Sequence, residues 1–230
     1  MEVNLSSQLD SESTSDQQCS SDSQLIMQIM LTFILALLVP LATAQWGTIE
    51  NGTCPEFSAM DTFDLSKWYG RWYDIFHVHW YFGGTNVACV TADYTEWGNP
   101  EEHGLLYQSA NSMNLRMLTL ETPIQVNSFT YDSGVPGEFI TQFGPNPPED
   151  GFPSNFNVLD TNFDSYSCIY NCEQLEENLR EVMAFGMSRN KEMDPDDRAQ
   201  CESLFSDLDL DVSTMVNTKQ DKRCIYYPEH

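Results

Sequence analysis

The residues of this chain with the most chemistry in them are its seven cysteines, at 19, 54, 89, 168, 172, 201 and 224. Their spacing matches no zinc site, and a reduced cytosol rarely keeps so many thiols idle, so disulfides in an oxidising compartment are the better reading. His77-Val78-His79 puts two imidazoles on one strand face, the start of a metal site, but spacing fixes no third ligand. We therefore read the pair as a solvated strand end and expect no metal. No G-x-S-x-G, H-E-x-x-H or phosphate-cradling glycine loop occurs, so no catalytic residue is nominated and no cofactor is expected. The acidic clusters at 148–150 and 173–177 read as solvated faces rather than cation sites. Asn51-Gly52-Thr53 is an N-glycosylation sequon, which makes Asn51 a candidate glycan carrier.

The elements that must position these groups begin with the whole composition. The 230 residues are 41% hydrophobic, enough for one large domain with a real core. Thirty-five acidic residues against ten basic give a net charge of -25, a surface that repels phosphate backbones and argues against a nucleic-acid partner. The first 24 residues are Ser/Gln/Asp-rich and carry no Lys or Arg. Residues 25–44 are nearly all apolar and end in Ala42-Thr43-Ala44, the pattern of a secretory signal with an A-x-A cleavage site. About 20 apolar residues can also span a bilayer as an uncleaved anchor. The absence of any basic residue before Lys67 counts against that alternative. An acidic leader is foreign to a signal peptide, and translation from Met27 or Met30 would remove it. The expected organisation is an acidic low-complexity leader over 1–26, a signal peptide over 27–44, and one domain over 45–230 that is secreted and extracellular. Cleavage discards Cys19 and leaves an even set of six.

Within that domain, aromatic and β-branched runs predict strands over 68–79, 89–97, 104–110, 138–144, 155–160, 165–172 and 180–189. Gly83-Gly84, Gly98-Asn99-Pro100, and the Gly/Pro-rich segments 133–137 and 144–148 mark turns between them. Such a series indicates an all-β barrel or sandwich. One helix follows: Asp194 as N-cap, Pro195 at the first position, and Cys201, Leu204, Phe205 and Leu208 on one apolar stripe. The cysteine on that stripe faces whatever surface the helix covers.

Four ordered motifs sharpen this. Gly70-Arg71-Trp72 opens the first long strand, preceded by Cys54-Pro55. Cys89-Val90-Thr91-Ala92-Asp93-Tyr94 forms the second strand. Asp160-Thr161-Asn162-Phe163-Asp164 precedes a later strand, and Phe185-Gly186-Met187-Ser188-Arg189 ends the last. Together they resemble the lipocalin family, in its apolipoprotein D, insecticyanin and crustacyanin branch. The likeness spans about residues 54–224. It implies an eight-stranded antiparallel up-and-down barrel with one C-terminal α-helix packed outside. It also gives Gly70, Trp72, Thr161 and Arg189 structural roles, with Trp72 on the barrel floor and Arg189 packed across it. Asn162 and Phe163 stand where the family has Asp and Tyr, so the turn there is expected to be altered. The resemblance implies pairing of Cys54 with Cys172 and of Cys89 with Cys224, and, as in crustacyanin subunits, of Cys168 with Cys201, for which two free buried thiols are the alternative.

Strand alternation taken from the motif positions makes Ala92, Tyr94, Phe139, Thr141, Phe143, Phe156, Val158, Ser167, Ile169, Phe185 and Met187 the inward set. They are the candidate ligand-binding residues. This apolar, aromatic lining with a few hydroxyls suits a small hydrophobic ligand such as a carotenoid, bilin, retinoid, sterol or fatty acid. The function expected is carriage of that ligand without catalysis, its entrance formed by loops around 80–88 and 144–153. Two alternatives stay open. One is an enzyme on the same barrel acting on a bound lipid or polyene. The other is a homo- or hetero-oligomer subunit with a vestigial pocket, using Trp80, Tyr81 and Phe82 as its interface.

Overall fold

The computed structural model describes residues 47–79, 87–96, 105–117, 120–144 and 152–229. Eight antiparallel strands follow one another around a closed barrel: β2 (Gly70–His77), β3 (Val87–Glu96), β4 (Leu105–Met117), β5 (Leu120–Asp132), β6 (Glu138–Phe143), β7 (Phe152–Thr161), β8 (Tyr166–Glu176) and β9 (Leu179–Ser188). Closure comes from β9 pairing back onto β2, Tyr73 opposite Ser188 and His77 opposite Phe185. A short strand β1 (Thr48–Asn51) adds to β9, and β10 (Val216–Asn217) adds to β2.

The sequence patterns missed β5 and the second half of β4. Residues 108–114 are rich in Ser, Asn and Gln, which have weak strand preference, and Pro123 sits inside the next run, where it reads as a breaker. Pairing overrides both signals, because β4 and β5 form a long hairpin ladder from Leu105–Tyr131 to Met117–Leu120, with one register shift between Leu105 and Tyr107.

Two cores hold the barrel. Inside its closed end, Trp68, Trp72, Tyr94, Tyr107, Phe139 and Val158 pack together. The segment before β2 closes that end: Met60 N donates to Val158 O at 2.9 Å, and Phe63 stacks on Phe139 with ring centroids 5.0 Å apart. A single-turn helix α1 (Leu65–Trp68), capped by Asp64, delivers Trp68 to the floor. Outside the barrel, helix α2 (Pro195–Asp207) lies on β8 and β9. Its Cys201 and Phe205 are buried against Phe76, Cys168, Tyr170, Val182 and Ala184. Phe76 reaches that layer because β2 shifts register after Asp74. Its ring then covers Gly186 so closely that an added Cβ there would lie 1.9 Å from the ring edge, which explains the glycine.

β2 ladders with β3 only over Gly70–Tyr73, and the C-terminal segment fills the seam above. Thr218 N donates to Ile75 O, Cys89 N donates to Lys219 O, and Gln220 Nε2 donates to both Asp74 O and Val90 O, each at 2.9 Å. The same segment continues over the outside of β3 and β4. There the Asn114 amide, oriented to satisfy both groups, pairs with the N–H and C=O of Ile225 at 2.9 and 3.0 Å.

Candidate functional site

Above the packed floor the barrel holds a cavity of about 230 Å³. Its wall takes side chains from every strand of the barrel: Asp74 from β2, Ala92 and Tyr94 from β3, Met113 and Leu115 from β4, Ile124 and Val126 from β5, Thr141 and Phe143 from β6, Phe156 from β7, Ile169 from β8, and Met183, Phe185 and Met187 from β9. Alternation along the strands accounts for this spacing, since every second residue faces inward.

The polar residues of the wall are Asp74, Thr91, Ser109, Asn111, Ser112, Ser128 and Thr141, most of them on β4, β5 and β6. Ser109 and Ser128 hydroxyls meet at 2.6 Å, and Asn111 Nδ2 donates to each at 3.1 Å. Beside them, Thr141 and Thr130 hydroxyls lie 3.0 Å apart. Across the cavity, the buried Asp74 carboxylate accepts from Thr218 Oγ1 at 3.2 Å and lies 2.9 Å from His77 Nδ1. Burial pushes the Tyr94 and Tyr107 phenols far above their ordinary range, so both stay protonated and neither offers a base at neutral pH.

Of the eleven residues that alternation placed inward, Ala92, Tyr94, Thr141, Phe143, Phe156, Ile169, Phe185 and Met187 line the cavity. Phe139 and Val158 do not. They belong to the packed floor, where Phe139 stacks on Phe63, Tyr107 and Phe156. Ser167 is fully buried off the cavity wall. Alternation gives the face of a residue but not its height in the barrel, and all three sit too low. The sequence missed Val90 and Thr91 of β3, Ser112 of β4 and Met183 of β9, and a larger group, Ser109, Asn111, Met113, Leu115, Ile124, Val126 and Ser128, that belongs to β4 and β5. The inward period of two in that group was present, hidden behind the polar and proline signals. Asp74 also escaped notice, although it shares the inward parity of Trp72.

The motif residues meet at the closed end. The Arg189 guanidinium lies 3.9 Å from the centre of the Trp72 ring. Its nitrogens donate to the carbonyls of Phe163, Arg71, Lys67 and Trp68 at 2.7–3.2 Å. Trp72 Nε1 donates to Trp68 O at 2.9 Å. Gly70 starts β2 at φ +94°, a conformation that favours glycine. Thr161 Oγ1 donates to Tyr166 O at 2.5 Å and accepts from Phe163 N at 3.0 Å. Asn162 holds the turn through Oδ1, which accepts from the N–H groups of Asp164, Ser165 and Tyr166. Phe163 takes φ +66° and packs on Phe63.

Disulfides join Cys54 to Cys172, Cys89 to Cys224 and Cys168 to Cys201. Asn51 is exposed at the end of β1. His77 corrects one expectation: it is buried beside Asp74 and Thr218, not solvated, because the C-terminal segment covers that part of β2, while His79 is exposed. No cluster of three His, Cys, Asp or Glu able to hold a metal occurs among the described residues. No helix among them is long and apolar enough to cross a membrane. Residues 1–46, Trp80, Tyr81 and Phe82, and most of the two expected entrance loops lie outside the described residues.

No family model matches the chain. It is 26% identical over 198 residues to apolipoprotein D of Mus musculus, an alignment covering 84% of this chain and 96% of the relative. It is 26% identical over 78 residues to the crustacyanin-A1 subunit of Homarus gammarus, covering 34% of this chain and 43% of the subunit. The structure of insecticyanin from the tobacco hornworm Manduca sexta superposes with a TM-score of 0.61 at 18% identity, covering 77% of this chain and 91% of insecticyanin. With the ordered motifs, the closed barrel and the outer helix, these likenesses give the chain the lipocalin fold, with apolipoprotein D and crustacyanin, both lipocalins, among its homologues.

Proposed function

We propose that this protein is a secreted carrier that takes a small hydrophobic molecule into the barrel cavity and performs no catalysis on it. The observation that carries this reading is the cavity itself: about 230 Å³ of space walled mainly by apolar side chains, Met, Phe and Ile foremost, above a floor that is already packed. Burial of an apolar ligand there gains roughly 25 cal/mol for each Å² removed from water. Similarity to apolipoprotein D and crustacyanin supports a carrier over an enzyme.

The Ala42-Thr43-Ala44 site and three disulfides support export after cleavage of residues 27–44. The exposed position of Asn51 supports a glycan there. A crustacyanin relative that is by name a subunit supports assembly into a homo- or hetero-oligomer as a further property of the carrier.

The test is mass spectrometry of an organic-solvent extract of the natively secreted protein, with titration of the emptied protein by retinol, a sterol and a carotenoid. Trp68 and Trp72 lie beneath the cavity, so binding is expected to quench tryptophan fluorescence. An extract without any lipid-like molecule, together with unchanged fluorescence for all three probes, would overturn the reading.

A further inference from the structure

We propose that the cavity selects an uncharged ligand end, a hydroxyl, aldehyde, ketone or ester, and turns away carboxylates. The inference rests on the reading of this cavity as a ligand site and narrows its chemistry. Binding a carboxylate in a low-dielectric cavity requires a cation or several strong donors. The chain has ten Lys and Arg. All ten lie among the described residues, and none lines the cavity. Two come near either end and are committed elsewhere. Arg189 lies across Trp72 with its donors on backbone carbonyls, and Arg116 is held by Glu121 and Asp221 at 2.6 and 2.8 Å. The segments outside the description, the expected entrance loops included, contain no Lys or Arg in sequence.

Of the Asp, Glu, Lys and Arg side chains among the described residues, the wall holds Asp74 alone, 1% exposed and 2.9 Å from His77 Nδ1. It accepts from Thr218 Oγ1 and lies against His77, so it gives a ligand carboxylate no counter-charge. What the cavity offers a polar ligand end is neutral: the Ser109, Ser128 and Asn111 cluster, with Thr141 beside it. Such hydroxyl and amide groups can rotate to donate to a carbonyl or to accept from a hydroxyl, and neither exchange leaves a charge buried.

The experiment compares molecules of one skeleton. The full secreted protein is titrated with retinol, retinoic acid methyl ester and retinoic acid near pH 7.5, and with dodecanol and dodecanoic acid by displacement of a bound fluorescent probe. Expected is binding of the alcohols and the ester, with each acid weaker than its neutral counterpart by roughly tenfold or more. Placing a cation on the wall with Asn111→Lys is expected to narrow or reverse that ratio; should this variant not fold, Met113→Lys makes the same change one inward position along β4. Acids that bind the wild-type protein as tightly as their neutral counterparts would overturn the selectivity and leave the carrier reading standing. Failure of both skeletons in every form would overturn the carrier reading and this inference with it.

Discussion

Arg189 does work at the closed end that a lysine could not. Its planar guanidinium covers the Trp72 ring while its nitrogens satisfy the carbonyls of Phe163, Arg71, Lys67 and Trp68. An ammonium carries the same charge but cannot reach both turns and lie flat on the indole. Arg189→Lys is expected to lower stability by roughly 2–4 kcal/mol in urea denaturation, since carbonyls at partly buried positions lose their donor. Ligand affinity should change less than stability, because Arg189 is not on the cavity wall. An unchanged denaturation midpoint would show that water replaces the guanidinium at little cost. The sequence made Arg189 legible as a motif residue. It could not show that the four carbonyls come from two stretches, 67–71 and Phe163, since only the closed barrel brings those stretches together.

At the scale of elements, the outer helix and the C-terminal segment are each fastened to the barrel by a disulfide. Cys168–Cys201 ties α2 to β8 across a separation of 33 residues. Replacing both cysteines by Ala should cost roughly 2–4 kcal/mol, measured by urea denaturation, and leave the bound ligand unchanged. Alkylation of Cys201 in the native, unreduced protein would refute the bond. The C-terminal segment has an electrostatic tie as well. Hydrogen bonds from Arg116 and the Arg223 N–H hold the exposed Asp221 carboxyl down from 3.8 to about 2. A depressed folded-state value means that the contribution of Asp221 is present above 3.8 and is lost as pH falls through about 2. Thermal midpoints of wild type and Asp221→Asn should therefore differ near neutrality and converge at the acid end. A gap that stays constant down to pH 2 would mean that the Arg116 contact contributes nothing through ionisation. The two elements differ in legibility. The helix could be read from its cap and its Cys201 stripe, whereas the seam-filling strand Val216–Asn217 has only two residues and no pattern of its own.

Over the whole molecule, the acidic excess decides how the protein responds to salt. With 35 acidic and 10 basic residues, self-repulsion acts across the surface, while buried pairs such as Arg71 with Asp93, bidentate at 2.7 Å, are little screened. Raising ionic strength from about 0.01 to about 0.15 M shortens the screening length from about 30 to about 8 Å, so the thermal midpoint is expected to rise. A fall would show that exposed ion pairs outweigh the net repulsion. The same imbalance joins the surface to the cavity. Among the described residues no Lys or Arg lines the cavity to meet an acidic ligand.

What the sequence determined by itself was whatever depends on spacing along the chain. The order of the Gly70-Arg71-Trp72, Thr161 and Arg189 motifs, the even set of cysteines after residue 44, the inward parity of eight cavity residues, and the capped helix after Asp194 were all readable there. Period and end signals are local properties, and they survive folding unchanged. Tertiary structure alone decided the rest. It made strands of Ser- and Asn-rich β4 and of β5 with its Pro123, since ladder pairing outweighs weak local preference. It set Phe139, Val158 and Ser167 below the cavity, and it buried His77 under a segment some 140 residues further along the chain. Parity names the face a side chain takes; its height in the barrel, and what covers it, follow from contacts between strands distant in sequence.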